Sequence, residues 1–259
     1  MKISGNTFIV TGGASGLGEA AVRKLVKEGG NAVIIDVNVD GAEKIAQELG
    51  TDRVLAPGKV DVTEEEPVKK ALELALEQFG SLAGAVICHG VLGAPPSVTG
   101  YGPGNALTSY EQMKFVAGIN FLGVYNVAQK VAEILIKQEP LAEDGERGAI
   151  ILISSIAGLD GSLVSYGTTK SAVAGMILPF AREVAPFGVR VMGIAPGVFQ
   201  TPMTQVLTDN QDAANSLLQM FPRRMGQPLE FADLVAFIFE TPMLNGSLIR
   251  IDAGVRLQV

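Results

Sequence analysis

The chain has 259 residues, 47% apolar and 18% charged, with a net charge of −7, one cysteine and one histidine. That apolar content excludes a disordered chain, the unpartnered Cys88 excludes a disulfide-stapled module, and the acidic balance argues against a nucleic-acid partner. One histidine and one cysteine offer no metal-ligand cluster, and no run of roughly 18 apolar residues crosses a membrane.

The first six residues show no signal or transit pattern, so a cytoplasmic location is expected. Thr7-Phe8-Ile9-Val10 reads as a buried strand, followed by a helix from about Gly18 to Glu28. Ala32–Ile35 is the next strand, then a helix over Gly41–Leu49. Val54-Leu55 opens a short strand predicted to end near Val60. Glu64–Phe79 is helical, with acidic residues in the first turn where the macrodipole favours them. Ala85–Cys88 is a strand and Tyr110–Lys137 a long helix. Ala149–Ile153 and Val189–Ile194 are strands with a helix between them, and Leu248–Ile251 is the last strand. Seven strands, apolar on both faces and alternating with helices, predict a doubly wound α/β Rossmann fold: a seven-stranded parallel sheet between two helix layers. No linker or repeat divides the chain, so 1–259 is expected to be one domain. Two excursions, at about 93–105 and 200–224, should lie beyond the strand ends, where ligands bind.

The first strand runs into Thr11-Gly12-Gly13-Ala14-Ser15-Gly16-Leu17-Gly18. Gly12 suits a sharp turn, Gly16 a close approach of backbone to a pyrophosphate, and Gly18 the packing of helix on strand. Ser15 and Leu17 lie between them and are grouped with the cofactor-binding residues. Asp36 ends the second strand. Its carboxylate can accept both adenosine ribose hydroxyls and repels a 2′-phosphate, and no Arg or Lys follows before Lys44. This predicts NAD rather than NADP. Asp36 has an alternative as the N-cap of the next helix.

Tyr166 and Lys170 are spaced i, i+4, which places them on one helix face. A neighbouring ammonium favours the phenolate and should lower the phenol pKa, making Tyr166 a general base or acid. Ser154-Ser155 ends the preceding strand, where a hydroxyl can bond a substrate carbonyl. Asn120 lies inside the long helix, an indifferent place for Asn, and can bond helix backbone or a water there.

With these elements in register, the chain resembles the short-chain dehydrogenase/reductase family over essentially its whole length. The carriers are T-G-x-x-x-G-x-G, Asp36, Asp61-Val62, Asn120, Ser155, Tyr166-x-x-x-Lys170 and Ala195-Pro196-Gly197. Within the family it is most similar to the hydroxysteroid and short-chain 3-hydroxyacyl-CoA dehydrogenases. The stretches carrying that likeness are 145–150, 176–182, 185–192 and 242–250. The resemblance implies an NAD-dependent enzyme acting on a secondary alcohol or ketone, with Tyr166 as acid/base. It gives Lys170 the nicotinamide ribose and a depressed tyrosine pKa, Ser155 the orientation of the substrate oxygen, and Asn120 the support of a proton-relay water. Asp61 and Val62 would bracket the adenine. Gly90, Pro196, Gly197, Val198 and Thr201 would border the nicotinamide. A homotetramer is implied, with helices 110–137 and 164–185 and the last strand as contact surfaces.

Three departures stand out. Ser155 precedes Tyr166 by 11 residues, two fewer than the usual family spacing, which leaves Ser154 as a rival. Cys88-His89-Gly90 replaces the usual N-A-G; His89 is either a filler beside the cofactor or a substrate contact or second proton carrier. Gly93–Asn105 has no Lys or Arg for CoA phosphates, which favours an apolar or polycyclic substrate. Met203, Leu207, Leu217, Leu218, Met220 and Phe221 could line its site or form lid core, and Arg223 and Arg224 are possible anion contacts. Two other readings remain: a ketoreductase of secondary metabolism, and a non-catalytic NAD-binding scaffold.

Overall fold

The computed structural model describes residues 1–93, 107–205 and 220–257. The excursion at 93–105 and residues Leu207, Leu217 and Leu218 of the second excursion thus lie almost wholly outside the described residues. β1 (Thr7–Thr11), β2 (Asn31–Ile35), β3 (Val54–Leu55), β4 (Gly84–Ile87), β5 (Gly148–Ile153), β6 (Val189–Pro196) and β7 (Leu248–Ile251) form one sheet. Its order is β3-β2-β1-β4-β5-β6-β7 and every pairing is parallel. The fold is therefore the doubly wound Rossmann type, with the order reversing between β1 and β4, the point where such sheets open a ligand crevice.

Helices cover both faces because each strand is apolar on both. On one side α3 (Glu65–Phe79), α5 (Val124–Leu135) and α7 (Val164–Val184) pack against Ile9, Ile35, Ile87, Ile150 and Leu152. On the other, α1 (Gly16–Lys27), α2 (Val39–Leu49) and a helix over Pro228–Glu240 pack against Phe8, Val10, Ile34, Val86 and Ile151. Alternate residues of one strand thus feed two cores, the period-two signature of a strand buried on both sides. No helix among the described residues is long and apolar enough to cross a membrane.

Three elements differ from expectation. β3 has only two ladder residues, with an isolated bridge between Asp36 and Lys59 beyond it, because Pro57 and Gly58 interrupt the run. The expected helix 110–137 is α4 (Tyr110–Ala117), a π-helical turn over Gly118–Gly123 and then α5, which ends at Leu135. Asn120 sits inside that wide turn, the kind of local irregularity that clusters at functional sites. The helix over Pro228–Glu240, numbered α8 here, has no counterpart among the sequence expectations. Its start carries Pro228 at the first position, and Glu230 accepts from the Gln227 N–H at 2.7 Å, a capping pattern present in the sequence. α6 (Ile156–Leu159) is a single turn after β5.

Candidate active site

The glycine turn leaves β1 at its carboxyl end. Gly12 and Gly16 have φ of +63° and +56°, values that favour glycine. Each glycine also faces a close neighbour: a Cβ on Gly12 would stand 2.9 Å from the His89 backbone, and one on Gly18 would stand 2.1 Å from the Gly12 carbonyl oxygen. Gly18 therefore packs the helix on the turn itself. Ser15 is the N-cap of α1 but its hydroxyl makes no cap bond, so the dipole end is not closed by its own cap. Leu17 is half-buried beneath.

Asp36 is held toward this turn. Its Oδ2 accepts from the Ala14 N–H at 3.0 Å and Oδ1 from the Asn38 N–H at 2.9 Å. The N-cap of α2 is Asn38, whose side chain accepts from Gly41, so the capping alternative for Asp36 does not hold. Asp61 is turned onto Thr63, accepting from both its N–H and hydroxyl, and those bonds hold its carboxyl below the usual range. Val62 is buried, and its carbonyl accepts from Asn126 of α5, which in turn accepts from Lys130 at 2.6 Å. Sequence reading missed Asn126 and Lys130, because nothing in their spacing points at residue 62.

Tyr166 and Lys170 lie one turn apart on α7, at 9% and 3% exposure. Lys170 Nζ stands 5.8 Å from the Tyr166 ring centroid and donates to the Ile153 carbonyl at 2.9 Å. The expectation that Lys170 lowers the phenol pKa is not met. Burial pushes the Tyr166 phenol up, and a hydrogen bond from Ser155 is what opposes it. Lys170 is itself pushed down to about 8 by burial. Charging a buried group costs more than the aromatic ring returns at this distance. The two serines part company: Ser155 faces the phenol and accepts from Ala157 N–H, whereas Ser154 donates its hydroxyl to the Lys170 carbonyl at 2.7 Å.

That meeting of β5 and α7 depends on two glycines that sequence reading did not single out as site residues in their own right. A Cβ on Gly167 would stand 1.9 Å from the Ser162 carbonyl oxygen, and one on Gly158 would stand 2.6 Å from the Ser171 nitrogen. The 155–162 segment lies directly on the first turns of α7.

Asn120 is fully buried and faces the strand end, not a helix carbonyl. Its Oδ1 accepts from the Val91 N–H and its Nδ2 donates to the Val91 carbonyl, each at 2.8 Å. Gly90 lies alongside; a Cβ there would come within 3.2 Å of Lys170 Nζ and 3.3 Å of Asn120 Oδ1. His89 bridges Thr11 and the π turn, and the Cys88 thiol is pushed up to about 12 by burial.

The loop after β6 crosses the α1 terminus. A Cβ on Gly16 would stand 3.4 Å from Thr201. Thr201 and Thr204 share a hydroxyl bond at 3.2 Å. Pro196 ends the strand, Gly197 donates to Ile251 and leaves no space for a Cβ beside Asp252, and Val198 accepts from Gly226. Val198 and Met220 line a cavity of about 180 Å³ with Pro222, Arg224 and Ile251. Met203, Met220 and Phe221 are exposed, not core. Arg224 is committed to Glu230 through two bonds of 2.7 and 2.8 Å, so its guanidinium is already occupied by a carboxylate.

Residues 6–212 match the family model described as short chain dehydrogenase. The chain is 40% identical over 261 residues to the human "3-hydroxyacyl-CoA dehydrogenase type-2", covering 99% of this chain and 97% of that protein. Its structure is similar to that of 3-hydroxyacyl-CoA dehydrogenase type-2 from Mycobacterium avium, with a TM-score of 0.88, 35% identity and coverage of 98% and 97%. It is also similar to the 3-ketoacyl-(acyl-carrier-protein) reductase from Brucella melitensis complexed with NADH, with a TM-score of 0.83, 28% identity and coverage of 99% and 100%.

Proposed function

This chain belongs to the short-chain dehydrogenase family, and from that premise we propose that it interconverts a secondary alcohol and a ketone with NAD, through Tyr166, Lys170, Ser155 and Asn120. It is an oxidoreductase of secondary alcohols and ketones that takes a nicotinamide cofactor. The observation that carries the detailed reading is the convergence of a buried phenol, a buried ammonium and a serine hydroxyl at the carboxyl edge of β5, next to a glycine turn that ends in an open helix terminus.

The residues present fit the cofactor. The left-handed Gly12 and Gly16 and the uncapped Ser15 leave backbone donors for a pyrophosphate. Asp36 would hold the adenosine ribose, and Asp61 and Val62 would flank the adenine. Gly90, Pro196, Gly197, Val198 and Thr201 would border the nicotinamide. When bound, that ring accepts or donates a hydride. In the oxidation direction Tyr166 takes the hydroxyl proton, and Ser155 bonds the substrate oxygen and orients it. Lys170 spends one N–H on Ile153 and keeps two for the nicotinamide ribose. Asn120 holds the 90–91 segment through Val91 and would support a proton-relay water beside Lys170.

The substrate proposed is a 3-hydroxyacyl-CoA or its 3-keto partner, supported by the names of two similar proteins. A hydroxysteroid-like substrate is the second reading. It is favoured by Arg224 being tied to Glu230 and by the mainly apolar cavity beside Val198 and Met220. Two separate apolar faces support a homotetramer: Phe115, Leu122 and Tyr125 on the α4–α5 segment, and Leu229 and Phe237 on α8. Two distinct faces, each paired with its copy on another subunit, would close an assembly of four.

Acetoacetyl-CoA reduction followed by NADH absorbance tests the whole reading, and Asp36→Ala tests the cofactor. The variant should lose about 10- to 100-fold in kcat/KM for NADH, the size of a charged hydrogen-bond pair, with little change for NADPH. A wild type that prefers NADPH overturns the choice of NAD.

The pH dependence has a definite sign. Oxidation needs the phenolate, and burial raises the Tyr166 pKa, so kcat/KM for oxidation should climb with pH through the alkaline range. Reduction needs the phenol and should hold at neutral pH and fall as pH rises. Lys170, at about 8, loses its charge in the same range and should flatten the oxidation profile there. Profiles that do not slope in opposite senses would remove Tyr166 from the proton step.

A further inference from the structure

His89 is the only histidine of the chain, and its ring spans two parts of the site. Nε2 stands 3.1 Å from the Ile119 carbonyl oxygen in the π turn. A carbonyl only accepts, so this nitrogen carries the proton. Nδ1 then accepts from the Thr11 hydroxyl at 2.7 Å, at the end of β1. The Thr11 oxygen in turn accepts from the His89 backbone N–H at 3.4 Å. Two residues on, Val91 closes its two bonds with Asn120. Residues 89–91 are therefore stitched to consecutive residues of the π turn, with Gly90 between them facing Lys170 and Asn120. Glycines give this residue its room: a Cβ on Gly12 would meet the His89 backbone at 2.9 Å, and one on Gly123 would stand 3.3 Å from Nε2.

We propose that His89 is a positioning residue: a neutral strut between β1 and the π turn that holds Asn120 and Lys170 where the proton step needs them. The proposal rests on the roles given above to those two residues. Desolvation and the Lys170 ammonium push the imidazole down to about 3, opposed by the Ile119 carbonyl and the Asp61 carboxylate. The neighbouring Cys88 thiol, pushed up to about 12, brings no charge at neutral pH. A proton carrier changes charge near working pH; a ring held neutral with both nitrogens engaged does not.

A single histidine makes the test direct. With nitrogen-15 histidine label, the NADH-bound protein should show one imidazole in the Nε2–H form, unchanged from about pH 5 to about pH 8. An imidazolium, or an Nδ1–H form, overturns the strut. His89→Ala should lower kcat for acetoacetyl-CoA reduction by about 10- to 100-fold, the scale of a small misplacement, while the KM for NADH changes little. Added imidazole should restore much of that loss. An unchanged kcat overturns the proposal. So does a loss that imidazole leaves in place and that parallels lost NADH binding. If His89→Ala does not fold, Thr11→Val removes one anchor at nearly constant volume and should show the same kcat loss with KM kept; unchanged kcat there again overturns it. A wild type inactive on acetoacetyl-CoA would refute the substrate reading alone, since the nitrogen spectrum judges the strut without turnover.

Discussion

Tyr166→Phe should lower kcat by about a thousandfold while leaving NADH binding nearly intact. The change removes one oxygen from a side chain that is 9% exposed and keeps the ring that fills the site. Fold and cofactor affinity should survive, because the glycine turn, Asp36 and the loop after β6 do not touch that oxygen among the described bonds. What disappears is the only group at the site with a hydroxyl proton to exchange that is also bonded to Ser155. Ser155 then loses its partner and cannot substitute, since a serine hydroxyl is far too weak an acid. Turnover is measured by NADH absorbance and affinity by NADH fluorescence titration. Activity within about tenfold of wild type, a difference of only 1.4 kcal/mol in the barrier, would move the acid/base role to another residue. Lost affinity together with lost activity would make the phenol a binding group instead. A scaffold that only binds the dinucleotide would show neither turnover nor any effect of the substitution.

Gly167→Ala should be the most damaging change that adds a single carbon near the site. Its Cβ would lie 1.9 Å from the Ser162 carbonyl and 2.9 Å from the Ala157 carbonyl. Both are backbone atoms, so no side chain can swing away, and either α7 or the 155–162 segment has to shift. Alanine is otherwise a better helix former than glycine, so helix propensity predicts a small gain. The steric clash wins, because overpacking costs about 1–3 kcal/mol or more against roughly 1 kcal/mol of propensity. The shift separates Ser155 from Tyr166, so kcat should fall by about 100-fold alongside a Tm several degrees lower. Calorimetry and the NADH assay check the two effects together. A variant as stable and active as wild type would show that α6 and α7 are not packed this closely.

The sheet was readable strand by strand because buried parallel strands leave unbroken apolar runs, as at Phe8–Val10 and Ala149–Ile153. β3 came out shorter than expected because Pro57 and Gly58 cannot continue a ladder. Helix α8 went unread although Pro228 and Glu230 mark its start; its polar stripe of Glu230, Asp233 and Glu240 is broken by the exposed Phe237. The π turn was invisible for another reason. Its residues are ordinary helix residues, and the extra residue in the turn is fixed by the bonds of Asn120 and His89 to β1 and the β4 end. The phenol pKa is the sharpest mismatch. The spacing of an i, i+4 lysine predicts a lowered value, but burial of the phenol raises it, and spacing along the chain does not contain burial.

Local chemistry written in the chain determined the doubly wound α/β class, the order of its strands and helices, and the identity of the glycine turn, Asp36 and the Tyr166–Lys170 pair. Those depend on periodicity and on residue types a few positions apart. Which serine meets the tyrosine, what Asn120 and His89 bond, and which way burial moves each proton were decided only when strands distant in sequence were stacked side by side. Hydrogen bonds and desolvation depend on atoms that folding brings within a few ångströms, and residues such as Thr11, Ile119 and Val91 carry no local mark of the neighbours they acquire.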